Sequence, residues 1–239
     1  MTTIHFIGGE KGGEGRSFVS RAFIDYHRDR QIPFYGFDIC RSYSDVSRFY
    51  ENVEGCDVQG FSHKDSPSDI ADTVFSKEIE GSVIVNLQTH GMARLVRPWI
   101  EEDRDARFSE LQRKNAVVWF VSIGTCDSFR LLKESIEYFQ GRVPHILVRN
   151  MWERSLWSLE NVREKFQQVT TKYNIRTIDF PNFIDSKELF TIESEDIPYL
   201  EAQWYSDFST VSRHRCSVFL KRAFSAFESA DTAKFISAS

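Results

Sequence analysis

The chain has 239 residues, 30 basic and 35 acidic side chains and a formal net charge of -5, enough to bury the core of one larger α/β domain and without an overall basic signal for nucleic acid or anionic membrane. Its four cysteines, Cys40, Cys56, Cys126 and Cys216, include no C-x-x-C pair, which argues against a zinc site or redox dithiol and reads as thiols in a reducing compartment. No stretch approaches the ~18 apolar residues that span a bilayer and no leader pattern opens the chain, so the expectation is a single cytoplasmic domain over residues 1–239 with no membrane span.

Residues 2–7 form a short β-rich run, and residues 8–17 follow as Gly-Gly-Glu-Lys-Gly-Gly-Glu-Gly-Arg-Ser. Residues 17–30 place Phe18, Val19, Ala22, Phe23 and Tyr26 at helical spacing. The context is strand, glycine loop, helix. A loop so rich in glycine can turn its backbone N–H groups inward, and the helix start adds the positive end of its dipole, so the natural ligand is a phosphate chain. A glycine-rich turn without a ligand is the plain alternative. Arg16 stands where a phosphate loop carries Lys and can fork onto phosphate oxygens, although it is bulkier and planar. Glu10 and Glu14 would repel a polyphosphate unless they point to solvent.

Pro33 opens a second strand, residues 34–39, which ends at Asp38. An acid at the carboxyl end of a strand beside a phosphate loop faces the ligand crevice of an open α/β sheet; helix capping is the competing use. Residues 45–51 read as a short helix and 58–61 as a weak strand. Ser66 and Pro67 start a helix over residues 70–79, and Gly81 ends it. Residues 82–87 are a nearly continuous apolar strand containing Asn86, the pattern of a sheet covered on both faces. Gln88, Thr89 and His90 follow, and each can contact a nucleotide or a coordinating water. His90 can be read as a catalytic base, although a lone loop histidine is more often simply solvated.

Residues 92–114 are long, charged and roughly amphipathic, with Pro98 as a boundary or first-turn residue and a solvated mixed-charge run at 101–107. Strands are expected at 116–123, 144–148 and 175–180, and helices at 128–139, 158–173 and 185–192. The 144–148 strand leads to Asn150, whose amide offers the donor and acceptor that an adenine edge needs; ending a strand is its ordinary use. The acidic, aromatic segment 193–205 takes no assignment. Residues 210–228 form a closing helix with an apolar stripe, while Arg213, Arg215, Lys221 and Arg222 read as a solvated face that can also meet DNA phosphates in a dimer.

The order Lys11-Gly12-Gly13-x-Gly15-[Lys/Arg]-Ser17 resembles the deviant Walker A loop of the ParA/MinD family, and the opening Ile-Gly-Gly-Glu-Lys-Gly-Gly is similar to plasmid partition and mobilisation proteins. The resemblance implies a P-loop nucleoside triphosphatase fold, a three-layer sandwich of a mostly parallel sheet with helices on both faces. It implies that Lys11 reaches across a homodimer interface to the partner's ATP, and that Gly12, Gly13, Glu14, Gly15, Arg16, Ser17 and Phe18 surround ATP or ADP. Ser17 would touch Mg2+ and Asp38 would orient the attacking water and join the metal's shell. Asn150 and Pro181 would meet the adenine.

The same resemblance marks departures. Cys40 replaces the second acid of an Asp-x-Asp motif, and Asn86 stands where the metal-holding acid is expected, so it would act on Mg2+ through water and hold it more weakly. The implied function is a nucleotide-dependent dimeric switch that positions DNA or a protein complex and hydrolyses ATP slowly. Arg16, Cys40 and Asn86 together also fit a pseudo-ATPase that serves as a binding subunit. A metabolic ligase or kinase on the same fold is the third reading.

Overall fold

Strand β1 (Thr2–Gly8) sends its side chains alternately into two cores, Ile4 and Phe6 into one and Ile7 into the other. That period of two is what a sheet covered on both faces requires. The computed structural model describes residues 1–39, 44–62, 64–183 and 186–230. Cys40 and Asp185 lie outside the described residues.

The remaining strands are β2 (Phe34–Asp38), β3 (Val58–Gly60), β4 (Gly81–Asn86), β5 (Val117–Ser122), β6 (His145–Asn150) and β7 (Arg176–Phe180). They form a seven-stranded sheet in the order β3-β2-β4-β1-β5-β6-β7, and each of its strand pairs is parallel. Parallel neighbours need crossovers, and the chain supplies helices for them. The helices are α1 (Arg16–Asp29), α2 (Pro67–Ser76), α3 (Arg97–Glu102), α4 (Arg104–Arg113), α5 (Cys126–Phe139), α6 (Arg154–Ser158), α7 (Glu160–Lys172), α8 (Ser186–Ser194), α9 (Tyr199–Ala202) and α10 (Thr210–Ser229).

One core lies beneath α2, α3, α4, α5 and α7, with Val74, Trp99, Leu111, Leu132 and Phe166 among its buried side chains. The other lies beneath α1, α9 and α10 and holds Val19, Phe23, Tyr199, Phe219 and Phe227. The result is the expected mostly parallel sheet between two helical layers.

The structure adds local detail to these readings. In the region 92–114 a π-helical turn, Met92–Val96, runs into α3, Pro98 stands in the first turn of α3 as expected, and Asp103 leaves helical geometry to cap α4 by accepting from the Ala106 N–H. Ser66 caps α2 through a reciprocal pair with Asp69. Segment 193–205, unassigned in the sequence, carries the end of α8 and the short α9.

The order of strands sets the site. β1 lies between β4 and β5, so the loop that leaves β1 opens where chain connections diverge to both sides, the position at which open α/β sheets bind ligands.

Candidate phosphate-binding site

The loop between β1 and α1 is held in shape by its glycines. Gly13 and Gly15 have φ of 77° and 88°, and a side chain at Gly15 would meet the Asn150 Nδ2 at 2.2 Å. An L-residue there would be strained in both conformation and space. Gly12 and Gly13 are exposed at the crown of the loop, and Val19 N–H donates to Gly15 O over 3.0 Å as α1 begins.

Both loop acids are buried, and neither enters the cleft. Glu14 points toward β5, where its carboxylate accepts from the Ile123 N–H at 2.6 Å and the Thr125 hydroxyl at 3.2 Å. Glu10 points toward the loop after β4: its Oε2 lies 3.7 Å from His90 Nδ1, and its backbone oxygen accepts from the His90 N–H at 3.0 Å. Burial raises the pKa of each carboxyl; Arg97 and His90 oppose this at Glu10, and the Ile123 and Thr125 hydrogen bonds oppose it at Glu14. The sequence expectation that these acids must face solvent to spare a polyphosphate is corrected: they are tucked under the loop instead.

A cleft of about 270 Å³ remains beside the loop, lined by Arg16, Ser17, Asp45, Asn86, Leu87, Gln88, Thr89, His90 and Arg94. Usual small-molecule sites run from roughly 300 to 1,000 Å³, so this volume suits the phosphate end of a nucleotide rather than the whole. Arg16 Nη2 donates to Thr89 Oγ1 at 2.8 Å, which aims the guanidinium along the β4 side of the cleft.

Asp38 stands behind this wall. It pairs in register with Asn86, is fully buried, and accepts from Asn86 Nδ2 at 2.9 Å and from the Val46 and Ser47 N–H groups at 2.8 and 3.1 Å. Asn86 Oδ1 in turn accepts from the Ser20 hydroxyl at 2.8 Å. An amide alone can donate to one neighbour and accept from the other, so asparagine fits this chain of bonds where a carboxylate would not. Of the expected metal-shell residues, Ser17 lines the cleft, Asn86 lines it with its amide engaged, and Asp38 does not reach it. Among the described residues no group of three or more His, Cys, Asp or Glu could hold a metal ion. Among the described residues this donor set, with Asp45 as its one acid, suits a Mg2+ ion carried on phosphate oxygens and touched by Ser17.

The other expected residues lie on the β6 and β7 side. Asn150 Nδ2 donates to Glu14 O at 3.0 Å and its Oδ1 accepts from the Trp152 N–H at 3.1 Å, so the amide braces the loop from behind. Phe180 pairs in register with Asn150, which places Pro181 next to it at the strand ends. The Phe18 ring packs among Phe180, Phe183, Tyr199 and Phe219, leaving its backbone as the part nearest a ligand. Lys11 Nζ reaches Thr125 Oγ1 and Asp127 Oδ2 of its own chain, both at 3.3 Å.

Two basic residues of α10 are committed elsewhere. Arg213 donates to the backbone oxygens of Tyr205, Ser206 and Phe208, and Arg215 pairs with Glu188 at 3.0 Å. Sequence reasoning missed Arg94 and the Glu10 to His90 strap; the signal for Arg94 was a cation four residues beyond a polar strand-end run.

No family model matches the chain. Protein MobD of Acidithiobacillus ferrooxidans is 25% identical over 185 residues, covering 77% of this chain and 79% of MobD. The septum site-determining protein MinD of Pyrococcus horikoshii, solved with Mg-ADP, superposes with a TM-score of 0.62 at 11% identity over 100% of this chain and 99% of its own. A putative plasmid partition protein of Borrelia burgdorferi bound to AMPPNP superposes with a TM-score of 0.51 at 11% identity over 96% of this chain and 99% of its own. The chain thus has the fold of the ParA/MinD-type ATPases, with its glycine-rich loop between β1 and α1.

Proposed function

We propose that the protein is a ParA/MinD-like ATP-binding protein that acts as a nucleotide-dependent dimeric switch, positioning DNA or a protein complex. The observation that carries this reading is the open cleft beside a glycine loop whose two acids are turned away from it. Arg16 and the loop amides bind the phosphates of ATP or ADP, Ser17 meets the Mg2+ that accompanies them, and Asn150 and Pro181 bound the base. The solved neighbours with Mg-ADP and AMPPNP support the choice of ligand. Magnesium, when bound, neutralises phosphate charge; the chain's own residues orient the phosphates and exclude water from the loop side.

Lys11 is one-third exposed at its present ion pair with Asp127, so exchanging that partner for a nucleotide on a second copy has little desolvation cost. Sedimentation of the chain with no nucleotide, ADP and ATP tests the switch. A dimer that forms with ATP and is lost in Lys11→Ala supports it; the same mass in all conditions refutes it.

The bond between Asn86 and Asp38 favours a second reading, in which nucleotide is bound without turnover. Two backbone N–H groups and an amide already engage the Asp38 carboxylate, which is buried and absent from the cleft lining, and this opposes its orienting a water there. Phosphate release measured alongside the sedimentation separates slow hydrolysis from none.

A further inference from the structure

A second arginine lines the same cleft. Arg16 opens α1, whereas Arg94 belongs to the π-helical turn Met92–Val96 that follows β4. Arg94 is exposed, and its guanidinium carries no side-chain hydrogen bond or ion pair among the described residues. Of the described side chains around the cleft, Arg16 and Arg94 carry positive charge against a single exposed acid, Asp45. Asn86 brings no charge, and the buried Asp38 is walled off behind it. Positive charge opposite a terminal phosphate is therefore available from guanidinium groups in a cleft where, among the described residues, Asp45 is the one lining acid.

Arg94 is also set relative to the loop. Its N–H donates to His90 O at 2.9 Å, and the His90 N–H donates to Glu10 O at 3.0 Å, so one continuous run of backbone bonds ties the turn to the phosphate loop. A π-helical turn is an uncommon element that recurs at functional sites.

Resting on the nucleotide reading above, we propose that Arg94 binds the terminal phosphate of a nucleoside triphosphate, so that the site separates triphosphate from diphosphate through this guanidinium rather than through a metal ion held by an acid. A guanidinium can fork onto two phosphate oxygens, which an ammonium cannot. The contact exists for ATP and is absent for ADP, and it survives removal of magnesium.

Calorimetric titration of ATP and of ADP, each with Mg2+ and with EDTA, into the native chain, Arg94→Ala and Arg94→Lys tests this. The native chain is expected to prefer ATP by about tenfold with or without the metal, as one charge-assisted contact would give. Arg94→Ala is expected to weaken ATP by about tenfold and ADP by less than about twofold, with Arg94→Lys between. Because Arg94 is exposed and unbonded, an unchanged melting temperature in Arg94→Ala shows that the fold is intact. An ATP to ADP ratio untouched by Arg94→Ala, or absent from the native chain, or lost in EDTA, overturns the inference while leaving nucleotide binding in place. A native chain that binds neither nucleotide overturns the nucleotide reading, and the inference with it.

Discussion

Asn86 donates from Nδ2 to Asp38 Oδ1 over 2.9 Å across the pairing of β4 with β2, so the residue in the expected metal-acid position is joined to the residue in the expected water-orienting position. Restoring an acid would place two buried carboxylates at hydrogen-bond distance. Asn86→Asp is expected to destabilise the metal-free protein at neutral pH by about 2 kcal/mol or more, and millimolar Mg2+ should restore part of the loss. Urea unfolding with and without Mg2+ measures this. A variant as stable as the native chain without metal would show that the Asn86 to Asp38 bond is dispensable.

Gly15 and Asn150 form the second coupled pair, since the Asn150 amide occupies the space a Gly15 side chain would need. Gly15→Ala is expected to cost about 1–3 kcal/mol, from left-handed strain and the clash together. Asn150→Ala costs less alone and removes the clash. A double-mutant cycle by denaturant unfolding should therefore give a double variant more stable than the sum of the two losses implies. Strict additivity would deny that the amide braces the loop.

Stability should fall on mild acidification because of the buried imidazoles. Burial lowers His27 and His145 from 6.5 to about 4 and His5 to about 3, so each is neutral in the folded chain and gains a proton on unfolding. The unfolded state binds more protons as pH drops from 6.5, and each histidine subtracts up to about 1.4 kcal/mol per pH unit until its folded pKa is reached. Asp25, raised by burial to about 6, and the raised Glu10 and Glu14 work in the opposite direction. The net expectation is a loss of stability between pH 6.5 and 4. In His27→Gln, the hydrogen bonds to Phe23 O and the Ser82 hydroxyl can persist without the titration. Urea unfolding at pH 7, 6 and 5 should give this variant the shallower slope; equal slopes would contradict the assignment.

Much of the fold was legible because its signals are local: near-continuous apolar runs for β4 and β5, a capping pair at Ser66, and a glycine loop between strand and helix. The site was legible only in part. Asp38 and Asn86 are 48 positions apart and meet because β4 inserts between β2 and β1, a strand order that no local pattern states. Glu10 and Glu14 looked harmful to a phosphate because their partners, His90 and the Ile123 N–H, come from other strands' loops. In 92–114 Pro98 marked the first turn of α3, whereas the π-helical turn before it and the break at Asp103 were hidden by a continuous amphipathic pattern.

On the proposed nucleotide reading, Arg16→Ala should reduce affinity for ATP and ADP together by about tenfold or more, because this guanidinium lies at the loop, where the phosphates common to both would sit. Fluorescence titration with a labelled adenine nucleotide reads the change. A loss confined to ATP would move Arg16 to the terminal phosphate and away from the phosphates that the two nucleotides share.

Equilibrium dialysis of the native chain against ATP with Mg2+ is the most direct measure of whether the cleft beside Arg16 and Ser17 is a nucleotide site. Saturable uptake of one ATP per chain, displaced by ADP and lost in Arg16→Ala, is the result predicted. No uptake by folded protein at millimolar ATP would contradict the nucleotide reading outright.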